Sequence, residues 1–159
     1  MRRTAFSLAP AARQAQRHGG GTLVEFALVA PVVLLLFFAI LELAILFWVG
    51  LTMQHAVREG ARLAVTGAGG AMREALVMQR IAEQSMGLYG LVHPVLHVNG
   101  MVVPADGSVP PAGILGAGGG MLLLRLDCSW PVATPLLRPM LGGAFQFSVA
   151  ASMRNEAFE

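Results

Sequence analysis

Between Gly21 and Leu51 the chain reads GTLVEFALVAPVVLLLFFAILELAILFWVGL, and from Phe26 to Leu41 it carries no charge. A helix of this length would reach about 46 Å, against a bilayer hydrocarbon thickness of ~30 Å. The segment is therefore expected to span a membrane, with turns to spare. That leaves space in the 159 residues for one small exported domain of roughly 100 residues and excludes a polytopic bundle with a further folded domain. With 55% of residues hydrophobic and only 13% charged, neither a disordered chain nor a purely soluble one fits.

Charge is placed unevenly. Residues 1–20 hold Arg2, Arg3, Arg13 and Arg17 with no acid, residues 21–51 hold only Glu25 and Glu42, and residues 52–159 hold seven arginines against seven acids. Arginines beside an apolar run keep their end in the cytoplasm, so everything after Leu51 is expected on the far side, in the periplasm of a Gram-negative cell. Nucleic-acid binding would need a basic face on a folded element, and the domain beyond the anchor is neutral. The apolar run is too long for a secretory signal peptide, whose core is about 7 to 15 residues. The one cysteine, Cys128, cannot form an intramolecular disulfide, so the exported domain must fold by packing alone.

Two acids interrupt this picture. Glu25 falls early in the span, where an ionised carboxylate costs a few kcal/mol unless it is paired or near the interface. A cut between Gly20 and Gly21 would create an α-amino group four residues away, and a neighbouring copy could offer its own amine as counter-charge. Glu42 lies at the outer interface if the span ends at Leu41, or inside it if the span runs to Leu51. Thr22 to Leu41 already supplies the ~20 residues a span needs, so the interface is the expected place. Pro31 is expected to kink the helix.

The run Gly20, Gly21, Thr22, Leu23, Val24, Glu25, Phe26 resembles the prepilin peptidase site of Flp type IVb pilins, in which a glycine precedes the cut, glutamate is fifth after it and an aromatic sixth. The continuation VEFALVAPVVLLL, the acid at Glu42, AVREGARLAV from Ala56 to Val65 and VAASMRNE from Val149 to Glu156 resemble the TadE-like pseudopilin family, in the family's order. Three successive glycines, Gly19 to Gly21, leave the cut formally ambiguous, and counting back from Glu25 selects Gly20.

The resemblance implies a minor pseudopilin of Flp (tight adherence) pilus assembly, made as a bacterial inner-membrane precursor with a cytoplasmic N-terminus. Its implied partners are the prepilin peptidase, the major pilin and other pseudopilins, the inner-membrane platform with its motor ATPase, and the lipid bilayer. Gly20 and Gly21 are the implied cleavage site and Glu25 and Phe26 the assembly motif. Glu42, Arg58, Glu59, Gly60, Arg62, Arg154, Asn155 and Glu156 are candidate contacts. The division is a basic leader over residues 1–20, a transmembrane helix over 21–51 and an exported α+β domain over 52–159. A second reading is an uncleaved, single-pass anchored binding or adhesion module whose Pro- and Gly-rich loops contact a ligand.

Beyond Leu51 the pattern turns two-faced. Met53, Val57, Gly60, Ala61 and Ala64 recur at helical spacing, with Gln54, His55, Arg58, Glu59 and Arg62 opposite, which extends the anchor as an amphipathic helix. Gly67 to Gly70 breaks it. A second helix is predicted over Ala71 to Met86, with Ala75, Met78, Ala82 and Met86 inward, Arg73, Arg80 and Gln84 outward, and Gly87 as its stop. Asn99-Gly100 between Leu96–Val98 and Met101–Val103 signals a tight hairpin. Strict alternation marks strands from Leu122 to Trp130 and from Phe145 to Met153. Pro104 to Gly120 and Pro131 to Gly143 read as long loops. The expected fold is α+β, with a long helix carrying a small antiparallel sheet as in type IV pilins; strand order is left open.

No catalytic constellation emerges. His93 and His97 lie in an extended segment with no completing ligand, so no metal site is expected. There is no Gly-x-Ser-x-Gly elbow. Cys128 alternates with Trp130 in a strand and is expected to pack, and the Gly116 to Gly120 stretch has no lysine to complete a phosphate loop. Asp106 and Asp127 share no motif. The chain is expected to be neither an enzyme nor a cofactor binder.

Overall fold

The structure, a computed structural model, describes residues 19–103, 111–135 and 137–157. The four leader arginines and Asp106 lie outside the described residues. The chain divides into two compact units, the boundary falling between Leu36 and Phe37. In the first unit the described element is the start of helix α1 (Gly19–Val65), which continues through Pro31 as one helix. Its large apolar side chains, among them Leu23, Phe26, Leu28 and Leu34, are exposed.

The second unit contains the rest of α1, a short 3-10 turn at Gly70–Met72, α2 (Arg73–Gln84), β1 (Val95–Val98), β2 (Met101–Val103), β3 (Met121–Pro131), α3 (Arg138–Leu141) and β4 (Ala144–Arg154). The strands form one antiparallel sheet in the order β2-β1-β3-β4. The architecture is α+β, a long apolar helix and a second helix with a small antiparallel sheet, as the periodicities predict. Asn99 and Gly100 both take positive φ, 50° and 85°, the backbone a two-residue hairpin turn requires. Asn99 also links the hairpin outward, because its Nδ2 donates to Ile114 O at 3.0 Å and its Oδ1 accepts from Leu123 N at 2.9 Å. The terminal strand β4 pairs with β3 along its whole length, from Met121↔Arg154 to Pro131↔Ala144.

Period-two alternation puts Leu122, Leu124, Leu126 and Cys128 on the inner face of β3, and all four are buried. They share one core with Val49, Met53, Ala56, Val57, Ala61 and Ala64 of α1 and with Val77 and Ile81 of α2. Each buried Val, Leu or Ile side chain contributes about 1.5–3 kcal/mol relative to exposure, and this cluster holds the unit together without a disulfide. At Gly60 α1 and α2 approach closely, since a methyl group there would collide with the Ile81 side chain. The small-residue face of α1 is thus filled from within the chain.

Two expectations are corrected. Helix α2 buries Arg73, Glu74, Val77 and Ile81, whereas Ala75, Met78 and Ala82 are half-buried and Met86, past the helix end at φ 54°, is exposed. The two candidate stripes are one residue apart, a rotation of about 100°. Val77 and Ile81 offer more apolar surface than Ala75 and Ala82 and set the rotation. The segment after β3, expected as a loop, forms the single turn α3, closed by Gly142 at φ 75°, while the described residues 111–120 are turns from which Ile114 and Leu115 enter the core.

Candidate functional site

Gly20 and Gly21 lie within the first turn of α1, and Glu25 and Phe26 are exposed one turn further on. A Cβ at Gly21 would meet nothing within 4 Å. Glycine at this position is not demanded by packing inside the chain.

Glu42 has a different environment. It is only 3% exposed, and its carboxylate is held by the segment that follows β3. Oε1 accepts from Ala133 N at 2.8 Å; Oε2 accepts from Thr134 N at 3.1 Å and from Thr134 Oγ1 at 2.8 Å. Hydrogen bonds to an ionised acceptor are roughly twice as strong as neutral ones. Arg138 adds an opposite charge nearby, and its Nε donates to Val132 O at 3.0 Å, bracing the same turn. Directly after the stretch expected to span, Glu42 meets protein groups instead of lying open at the helix surface. The carboxylate is inside protein, bound to residues more than ninety positions away in sequence.

At the other end of α1 the conspicuous AVREGARLAV and RNE residues come together. Glu156 N donates to Val65 O at 2.9 Å, and Glu59, Arg62, Leu63, Val65, Thr66, Arg80 and Glu156 line a groove of about 380 Å³. Arg62 Nη1 donates to Glu59 Oε1 at 3.1 Å on an exposed face, a pair of the kind that contributes under ~1 kcal/mol. Arg58 is exposed, and so is Arg154, whose Nε donates to Gly119 O at 3.0 Å. Gly60 and Asn155 are buried. Asn155 Nδ2 donates to Leu115 O and to Ala117 O, both at 3.0 Å, and its side chain ties the C-terminal strand to the preceding loop.

Sequence reasoning missed Arg73 and Glu74. The Arg73 guanidinium is buried and donates through Nε and Nη2 to Ala64 O at 2.9 and 2.6 Å, through Nη1 to Gly116 O at 2.9 Å and through Nη2 to Asn155 Oδ1 at 3.3 Å. It satisfies a carbonyl in the last turn of α1, where helix ends favour positive charge. Glu74 Oε1 accepts from Gly113 N at 2.8 Å. The one local signal was an Arg-Glu pair three residues past a glycine break, where an ordinary solvated pair would look the same.

Among the described residues no group of three or more His, Cys, Asp and Glu side chains is arranged to hold a metal ion. His97 Nε2 lies 3.1 Å from Asp127 Oδ2, and Arg125 Nε donates to Asp127 Oδ1 at 2.8 Å. Arg125 and Asp127 line an open groove of about 440 Å³ on the outer sheet face, with His93, Ser129 and Gln146. Cys128 adjoins that groove but is buried, and burial together with the neighbouring Asp127 charge pushes its thiol up to about 12. A thiol so placed is a poor nucleophile at neutral pH.

Helix α1 is long and apolar enough to cross a membrane, as a membrane anchor would be. No curated protein and no solved structure matches the chain. Over residues 20–62, which take in the apolar run, Glu25, Glu42 and the start of the amphipathic continuation, the chain matches the family model described as TadE-like protein.

Proposed function

We propose that this chain is a minor pseudopilin that serves assembly of a Flp/Tad-type pilus from the inner membrane, after a prepilin peptidase cuts between Gly20 and Gly21. The observation that carries the reading is a single helix in which the TadE-like match over residues 20–62 coincides with an exposed apolar run bearing one exposed acid, Glu25, near its start. Removal of the basic leader would leave a positive amine at Gly21. Glu25 of one copy would then neutralise the amine of the next as lipid contacts are exchanged for helix contacts. The domain beyond the bilayer, facing the periplasm, would cap, prime or anchor the fibre with the major pilin, other pseudopilins and the platform with its motor ATPase. Glu59, Arg62 and Glu156, which line one groove at the far end of α1, and the exposed Arg58 and Arg154 supply the polar surface for such contacts.

Intact mass and N-terminal sequencing of the protein from peptidase-positive and peptidase-null cells test this. The mature chain is expected to begin at Gly21 only where the peptidase is present. A chain that begins at Met1 in both strains overturns the proposal and leaves an uncleaved anchored module. Glu25→Ala is expected to be cut normally yet to give far fewer surface fibres, and a wild-type yield of fibres would remove the charge-pairing step.

A further inference from the structure

The outer face of α1 does not become polar at Glu42. Leu43, Phe47, Trp48 and Leu51 stay exposed, the last three at 69%, 51% and 70%, and the next exposed polar side chain is His55. If residues 22–41 fill the hydrocarbon core, the six steps from Glu42 to Trp48 rise another ~9 Å, through a headgroup layer of roughly 5–7 Å to its outer edge. Phe47 and Trp48 then stand where aromatic residues gather at membrane surfaces.

Glu42 fixes what else lies at that depth. Its carboxylate holds Ala133 N and Thr134 N at 2.8 and 3.1 Å, so the segment after β3 sits beside α1 at the level of Glu42. The composition of this segment is unlike that of an aqueous loop. Between Asp127 and Arg154 the sole charged residue is Arg138. Pro131, Ala133, Pro135 and Pro139 are exposed, and prolines have no backbone N–H to leave unsatisfied in a poorly hydrated layer. Arg138 is exposed as well, and a guanidinium matches the geometry of a phosphate.

We infer that Pro131, Ala133, Pro135, Arg138 and Pro139 form a membrane-seating surface, which rests in the headgroup layer of the leaflet from which α1 emerges, covers Glu42 against lipid and offers Arg138 to lipid phosphate. The inference rests on the reading of α1 as a bilayer anchor. It explains why an acid can follow the apolar run directly while the surrounding helix face stays apolar. The acid is neutralised by protein, and the lipid meets prolines and one arginine instead.

Depth measurement on the full chain in phosphatidylcholine and phosphatidylglycerol vesicles tests it. Because Cys128 is buried, a fluorophore can be attached to single cysteines introduced as Pro135→Cys, Pro139→Cys, Leu34→Cys and Arg58→Cys. Probes at 135 and 139 are expected to be quenched by headgroup nitroxide lipid several-fold more than the probe at 58, with the probe at 34 quenched by acyl-chain nitroxide. Arg138→Gln is expected to abolish the part of the headgroup quenching that depends on phosphatidylglycerol. If 135 and 139 respond to an aqueous quencher as 58 does while 34 stays in lipid, the seating surface is overturned and the anchor stands. If 34 is also aqueous, the anchor reading fails and takes the inference with it. Shielding of 135 and 139 that disappears as protein is diluted in lipid would assign the surface to a second copy instead and overturn the inference.

Discussion

Helix α1 carries two apolar stretches with opposite fates. Over residues 21–41 its Leu, Val and Phe side chains face outward, Leu28 at 75% exposure; over residues 49–64 its Val49, Met53, Ala56, Val57, Ala61 and Ala64 are fully covered. Both contain apolar residues, so their presence alone does not distinguish the two. Side-chain size and charge placement do: the outer stretch is bulky all round, as suits lipid, whereas the inner one has small residues on one stripe and Gln54, His55, Arg58 and Arg62 elsewhere. Small side chains let α2 and the sheet approach, and bulky ones call for a fluid partner that can mould itself around them.

A polar side chain placed in each stretch should break the symmetry most strongly. Ala61→Asp would bury an unpaired carboxylate in the core and is expected to cost about 3–5 kcal/mol or more, read as loss of the cooperative thermal transition in detergent. Leu34→Asn should leave that transition in place and weaken membrane retention only. Glycine gives a finer contrast on the same helix. Gly60→Ala forces the Ile81 side chain to move and is expected to cost ~1–3 kcal/mol, whereas Gly50→Ala, with nothing within 4 Å of the new methyl, should be neutral or slightly stabilising through helix propensity. Equal unfolding midpoints for the two variants would contradict the close α1–α2 approach.

The effect that is smallest near neutral pH concerns Cys128. Its thiol is held protonated up to about 12 in the folded chain, while an unfolded cysteine ionises near ~8.5. The unfolded state therefore releases its proton first, so this group makes no difference below about pH 8.5 and erodes stability as pH rises from there toward 12, by up to ~1.4 kcal/mol per pH unit. Cys128→Ala should flatten the alkaline fall in melting temperature relative to the parent. Identical slopes would mean that the thiol is more accessible than its burial indicates.

Local pattern accounts for much of this fold. The Asn99-Gly100 turn, the alternation along β3 and β4 and the helical stripe from Met53 to Ala64 could each be read within a dozen residues, because a turn, a strand and an amphipathic helix are set by neighbours in the chain. The rotation of α2 could not, since it depended on the relative size of two adjacent stripes competing for one surface. Arg73 looked like a solvated residue for the same reason: its acceptors Ala64 O, Gly116 O and Asn155 Oδ1 are 9, 43 and 82 positions away. Of the candidate contact residues, Glu59, Arg62 and Glu156 meet at one groove, while Gly60 and Asn155 are used up in packing.

The amino-acid sequence by itself determined that a long apolar helix leads into a small α+β domain, which faces of α1, β3 and β4 are apolar and where the hairpin turns, because these follow from periods of two and 3.6 residues and from the conformational freedom of single residues. The order β2-β1-β3-β4, the seat of Glu42 under Ala133 and Thr134, and the burial of Arg73 were decided only by tertiary structure. They depend on which distant groups arrive within hydrogen-bond reach once the core closes, and an unpaired buried charge is costly enough to dictate that arrangement.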